Sequence, residues 1–109
     1  MNFTYYQIES RKFANYPDMG NNFVYPLIGL CGETGEIAEK IKKIIRDKDG
    51  KINEEDRKAL SKELGDVLWY ISQLATELGI DLNWIANENI YKLEKRLKEN
   101  KIQGSGDDR

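Results

Sequence analysis

Histidine is absent from this 109-residue sequence, and cysteine occurs once, as Cys31. Without histidine there is no Ser-His-Asp triad, no Cys-His dyad and no His-ligated metal. A single cysteine excludes intrachain disulfides and cysteine-rich zinc sites, which agrees with a reducing compartment. Any chemistry must therefore rest on carboxylates, lysines, arginines and amides.

The sequence also lacks an excess of positive charge and any long apolar run. Its 17 Lys and Arg residues oppose 19 Asp and Glu, for a formal net charge of −2, so no stable nucleic-acid partner is expected. No segment has the apolar length of a membrane span or of a signal-peptide core. We therefore expect a cytoplasmic protein with no membrane contact. The length suits one domain, which we place at residues 1–103, before a polar tail at 104–109.

Apolar residues recur at three- and four-residue steps through most of the chain, which is typical of amphipathic helices. Strand-type alternation of useful length is absent. Capping residues, Pro17 and Gly79 divide the periodic segments into four predicted helices. These run from about Thr4 to Tyr16, from Phe23 or Pro26 to Arg46, from the cap Asn53 to Leu78, and from the cap Asp81 or Asn83 through Leu97. The sequence therefore predicts an all-α fold, a four-helix bundle.

Two pairs of carboxylates stand on the second and third helices, Glu33-x-x-Glu36 and Glu63-x-x-Asp66. Residues three apart share a helix face. If the apolar stripes of the two helices pack antiparallel, both pairs border one seam. Crowded carboxylates repel one another, and a divalent cation relieves that repulsion. An all-oxygen ligand set suits Mg²⁺, with Mn²⁺ as an alternative.

The same acids also fit a solvated helix face, with ion pairs Glu36–Lys40 and Glu39–Lys43 at i,i+4. Glycines help to decide between a metal site and a solvated helix face, because each glycine inside a helix lowers helix stability by about 1 kcal/mol relative to Ala. Four of them lie beside the acids: Gly29, Gly32, Gly35 and Gly65. Either close helix packing or room for a ligand explains them, and the spacing leaves both explanations open.

The fourth helix carries Asn89, Lys92 and Arg96 on one face, at i, i+3 and i+7. Such a strip can hold phosphates through charge-assisted hydrogen bonds. Ordinary surface charge near a helix C-terminus is the alternative.

The segments LCGETGEIAE (30–39) and KELGDVLWY (62–70) resemble the MazG-like all-α nucleoside triphosphate pyrophosphohydrolases. The signature of that family is EExxE, a spacer and ExxD, and here positions 37–62, which are 26 residues, separate Glu36 from Glu63. The resemblance continues through 89–96 and into the tail, which is similar to a phage-type branch. Gly32 stands where the signature has its first Glu, a variation similar to the deoxycytidine-triphosphatase branch.

The resemblance implies hydrolysis of a (d)NTP substrate to (d)NMP and pyrophosphate. It implies four residues that are both metal ligands and catalytic, Glu33, Glu36, Glu63 and Asp66, and three substrate-binding residues, Asn89, Lys92 and Arg96. It further implies a homodimer or homotetramer with the site between subunits, and a tail that returns to the site through Arg109. Amphipathic helices with two apolar faces agree with such an assembly. A catalytically silent helical oligomer that binds nucleotides or partner helices is the alternative.

Overall fold

The computed structural model describes residues 1–99 of the chain. They form four α-helices: α1 (Phe3–Arg11), α2 (Val24–Lys48), α3 (Glu54–Glu77) and α4 (Leu82–Lys98). No strand occurs in these residues, so the predicted all-α class is confirmed. None of the helices in this range is both long enough and apolar enough to cross a membrane. The predicted tail at 104–109, with Arg109, lies outside the described residues.

Helix boundaries follow local capping chemistry. The Asn53 side chain accepts a hydrogen bond from the Asp56 amide (2.8 Å), and the Asp56 carboxylate accepts one from the Asn53 amide (3.1 Å). This reciprocal capping box begins α3 as the sequence predicts. At the end of α2, Asp49 and Gly50 adopt positive φ angles of 56° and 76°, which reverse the chain. Lys48 then donates to Asp56 (2.7 Å), so a short turn joins α2 and α3 as an antiparallel hairpin.

The first helix ends earlier than predicted, at Arg11 rather than Tyr16. The amides of residues 12–14 donate to the carbonyls three residues before them, which is the hydrogen-bond pattern of a 3₁₀ turn. Tyr16 is buried, and its ring stacks on Tyr25 with 4.8 Å between centroids. Its hydroxyl also donates to Glu77 on α3 (2.6 Å). These distant contacts outweigh one more turn of local helix.

The helices are arranged around α3. Helix α2 packs along α3, whereas α1 packs on both α3 and α4, and α4 makes few contacts with α3. Within residues 1–99, no Cα atom of α2 comes within 8 Å of one in α1 or α4. Helix α2 therefore contacts a single helix of its own chain, and much of its surface is left without an intrachain partner.

The core of one protomer is small. Its buried apolar side chains include Ile44, Ala75 and Leu82, whereas Leu27 is 44% exposed and Leu64 58% exposed. The predicted apolar stripes of α2 and α3 are thus only partly buried against each other. The radius of gyration is 16.8 Å, compared with about 13 Å for a compact domain of this length. The chain is extended for its length and exposes considerable apolar surface.

Candidate metal and phosphate site

Three carboxylates meet in the seam between α2 and α3. Glu33 of α2 and Glu63 and Asp66 of α3 each offer an oxygen, and these oxygens all lie within 4.8 Å of one another. Glu33 and Glu63 are half-buried and Asp66 is exposed. The antiparallel hairpin therefore brings one acid of the first pair against both acids of the second. This all-oxygen set, hereafter the acidic cluster, fits a hard divalent cation that keeps part of its water shell.

Glu36, the remaining acid of the two pairs, lies beside the acidic cluster and outside it. Its side chain is exposed, and its charge contributes to raising the pKa of Glu33. It follows Glu33 by three residues on the same helix, so the two project in similar directions. Its role as a metal ligand stays a prediction.

The negatively charged carboxylates of the acidic cluster repel one another. The pKa of Glu33 is raised, first by its hydrogen bond with the Glu63 carboxyl group, and further by burial and by the neighbouring negative charges. A raised pKa means that the folded protein disfavours the deprotonated carboxylate. Ionisation of Glu33 therefore lowers stability as the pH rises above its ordinary pKa, and a bound cation offsets that loss.

Lys40 supplies positive charge at the edge of the acidic cluster. Its Nζ lies 3.9 Å from Oε1 of Glu63, across the seam. The solvated-face alternative predicts a Glu36–Lys40 pair, which does not form among the described residues. Glu39 instead pairs with Lys42 at 2.9 Å and, as predicted, with Lys43, although at 4.0 Å. The outer face of α2 thus carries ordinary surface pairs, whereas Lys40 faces the seam.

Most of the chain matches a known protein family. The MazG nucleotide pyrophosphohydrolase domain matches residues 27–100, which include both carboxylate pairs. The chain belongs to the MazG family. The Gene 37 protein of Mycobacterium phage L5 is 48% identical over 109 residues, covering 95% of this chain and 96% of that protein. Its name states no activity. No solved structure gives a significant match.

The glycines of this MazG domain divide into two kinds. A methyl group on Gly29 would overlap the ring of Tyr70, so close packing between α2 and α3 requires glycine there. At Gly32, Gly35 and Gly65 an added Cβ atom would meet no atom of residues 1–99 within 4 Å. Close packing inside the protomer therefore explains Gly29 alone. Room for a ligand is the explanation that stays open at the other three.

Aromatic side chains border the other end of the acidic cluster. Burial and then the charge of Asp66 raise the pKa of Tyr6. The pKa of Tyr70 is raised by burial first, and by Tyr25, Glu33 and Asp66. Tyr70 lies one helical turn after Asp66, and its ring meets that of Trp69 edge-on at 5.1 Å. The i,i+4 spacing from Asp66 signals the position of Tyr70, but nothing in the sequence assigns Tyr6 to this place.

Sequence reasoning missed a second acidic centre at the end of α3, around Glu77. Its carboxylate is fully buried and accepts hydrogen bonds from Arg11 (2.8 Å), Tyr16 (2.6 Å), and the amides of Gly20 (2.8 Å) and Asn22 (2.6 Å). Burial alone raises the pKa of Glu77, but these donors outweigh it and lower the pKa to about 2. Glu77 thereby fixes α1 and the loop before α2 onto α3.

The predicted phosphate-binding strip of α4 is not brought to the acidic cluster within one chain. Arg96 is buried, Lys92 is half-buried and Asn89 is exposed. In the part of the chain that the structure describes, no Cα atom of α4 lies within 8 Å of one in α2, the helix that carries Glu33. The role of Asn89, Lys92 and Arg96 in substrate binding stays a prediction.

Proposed function

We propose that this protein is a metal-dependent nucleoside triphosphate pyrophosphohydrolase that cleaves between the α- and β-phosphates. Membership of the MazG family suggests nucleotide pyrophosphohydrolase activity. The observation that carries the metal dependence is the convergence of Glu33, Glu63 and Asp66 within 4.8 Å. The products are a nucleoside monophosphate and pyrophosphate.

The residues of the acidic cluster fit a cation in number and chemistry. Glu33, Glu63 and Asp66 would hold it, and Glu36, which is exposed on the same helix as Glu33, would be a fourth ligand. A cation between them would bind these carboxylates in their anionic form. When bound, a divalent cation neutralises phosphate oxygens and lowers the pKa of a water molecule. The protein then needs no covalent nucleophile, in agreement with the absence of histidine.

We infer that the working form is a homodimer or homotetramer. Among residues 1–99, α2 has one helical neighbour, and Ile28 and Ile45 near its two ends are 66% and 64% exposed. Large apolar side chains exposed at both ends of a helix with one neighbour favour an interface with another chain. A partner subunit also offers a way for Lys92 and Arg96 to reach the phosphates. Sedimentation that shows only a 12.7 kDa species at micromolar concentration would contradict this assembly.

The decisive experiment is a panel of NTPs and dNTPs assayed for pyrophosphate release with Mg²⁺, with Mn²⁺ and with a chelator. The panel includes dCTP because Gly32 resembles the deoxycytidine-triphosphatase branch. We expect metal-dependent release, lost by roughly 10²- to 10⁴-fold in Glu63→Gln and in Asp66→Asn. Glu39→Gln, on the outer face of α2, is the control and should retain activity. Nucleotide binding without release from any substrate would favour the catalytically silent alternative.

A further inference from the structure

A cavity of about 290 Å³ opens beside Glu63, on the side of the acidic cluster that faces the hairpin turn. It is lined by Lys40 of α2 and by Glu55, Lys58, Ala59, Lys62 and Glu63 of α3. We propose that this cavity binds the terminal two phosphates of a nucleoside triphosphate and, after cleavage, inorganic pyrophosphate. The inference rests on the proposed function and adds to it a leaving-group site within a single chain.

The charge of the cavity favours a polyanion. Three ammonium groups line it against two carboxylates, which is a net charge of +1. Glu63 also belongs to the acidic cluster, so a cation held there compensates its charge and leaves the lysines opposed by Glu55 alone. Lysine binds phosphate as a mobile point charge with three donors. Cation loading therefore makes the cavity more attractive to phosphate.

Lys40 connects the cavity with the cation site. Its Nζ is 3.9 Å from Glu63, and 39% of its side chain is exposed. That distance exceeds a good N–H···O hydrogen bond, and exposed pairs of this kind are weak. The ammonium group is therefore free to turn from Glu63 to a phosphate once a cation takes over the carboxylate.

The size of the cavity suits a diphosphate better than a whole nucleotide. Its volume lies at the lower end of the range for ligand pockets, about 300 to 1,000 Å³. Within residues 1–99, its lining contains one apolar side chain, Ala59, and no aromatic ring on which a base could stack. Tyr70 lies on the opposite side of the acidic cluster, toward the start of α2, since its ring packs on Gly29. The terminal phosphates would therefore point away from Tyr70 and toward the hairpin turn.

The test is calorimetric titration of the full-length protein with inorganic pyrophosphate in the presence of Mg²⁺. Lys40→Met should weaken pyrophosphate binding by roughly 10- to 100-fold, as loss of a hydrogen bond to a charged group predicts. Binding of a nucleoside monophosphate should change by less than about two-fold, because the α-phosphate lies outside the cavity. Lys42→Met is the matched control. Lys42 is also on α2, but it pairs with Glu39 on the outer face, so its removal should change neither affinity.

Titration with Mg²⁺ alone separates this role from a structural one. Lys40→Met should bind Mg²⁺ as tightly as the parent protein or more tightly, since Glu63 loses a competing ammonium group. Equal weakening for Mg²⁺ and pyrophosphate would mean that Lys40 acts through the cation site, and it would overturn the proposal. Unchanged pyrophosphate affinity in both Lys40→Met and Lys62→Met would overturn it as well.

Different results would reject the pyrophosphate site and the hydrolase activity. Lysine-dependent pyrophosphate binding without release of pyrophosphate from any NTP would support the site and reject the hydrolase. Metal-dependent hydrolysis with lysine-independent pyrophosphate binding would retain the hydrolase and reject the site.

Discussion

Replacing Glu77 by Gln tests how the α1 end of the protein is held together. The substitution preserves the shape of the side chain but removes its charge and one of its two acceptor oxygens. Four donors converge on the carboxylate, from Arg11, Tyr16, Gly20 and Asn22. A glutamine cannot accept from all of them, and its own NH₂ group meets further donors. The Arg11 guanidinium also loses its counter-ion.

Two routes give the size of the effect. The pKa of Glu77 falls from 4.5 to about 2, which corresponds to roughly 3 kcal/mol of stability at neutral pH. Removing one partner of a buried ion pair costs about 3–5 kcal/mol. Both figures are a large fraction of the free energy of unfolding of a typical protein, which is about 5–15 kcal/mol. We therefore expect Glu77→Gln to lower the free energy of unfolding by about 3–5 kcal/mol.

The assay is urea denaturation at a fixed protein concentration, repeated at several pH values. Because folding lowers the pKa of Glu77, its contribution is present above pH 4.5 and is lost as the pH falls toward 2. The parent protein should lose stability over that interval, and the variant should lose less. The exposed Glu39 is the control, since Glu39→Gln should change stability by less than about 0.5 kcal/mol. A Glu77→Gln variant within about 1 kcal/mol of the parent, with the same pH dependence, would refute the reasoning.

Three further predictions concern the seam and α4. In urea denaturation, Gly29→Ala should lower the free energy of unfolding by about 1–3 kcal/mol, because the added methyl group displaces the Tyr70 ring. Gly65→Ala should be neutral or stabilising by up to about 1 kcal/mol. Equal effects of the two substitutions would mean that the seam repacks. Glu33→Gln should raise the melting temperature of the metal-free protein, since it removes a carboxylate whose neighbours repel it. The same substitution should reduce the rise in melting temperature that Mg²⁺ causes. A lower melting temperature of the metal-free variant would contradict the repulsion argument. Lys92→Ala should weaken nucleotide binding more than it lowers stability, and unchanged KM and kcat in a folded variant would assign Lys92 to the ordinary surface.

The number and type of the helices could be predicted because their signals are local. Asn53 and Asp56 form a capping box from residues three apart, and Gly79 follows the end of α3 with a positive φ. The end of α1 could not be predicted in this way. It depends on Tyr16, whose hydroxyl bonds to Glu77, a residue 61 positions away. Local periodicity carries no information about a partner at that distance.

The candidate site also combines features that local spacing predicts with features that depend on contacts between distant residues. The face shared by Glu63 and Asp66 follows from helical spacing, and so does its approach to Glu33 once α2 and α3 form a hairpin. The partner of Lys40 does not follow, because Glu36 at i−4 is an equally good local candidate. Only the register of the two helices selects Glu63 instead.

Glu33 and Glu77 are the same residue type in opposite environments, and the contrast explains what holds the acidic cluster together although its carboxylates repel one another. Carboxylates surround Glu33 and raise its pKa, whereas hydrogen-bond donors surround Glu77 and lower its pKa. Helix α3 is fixed near its C-terminus by Glu77 and at its N-terminus by the Lys48–Asp56 bond. Repulsion in the middle of the seam therefore lowers stability without separating the helices. If the proposed cation binds in the seam, it meets carboxylates that the two ends of α3 already hold in place, and it would compensate their charge without having to bring the helices together.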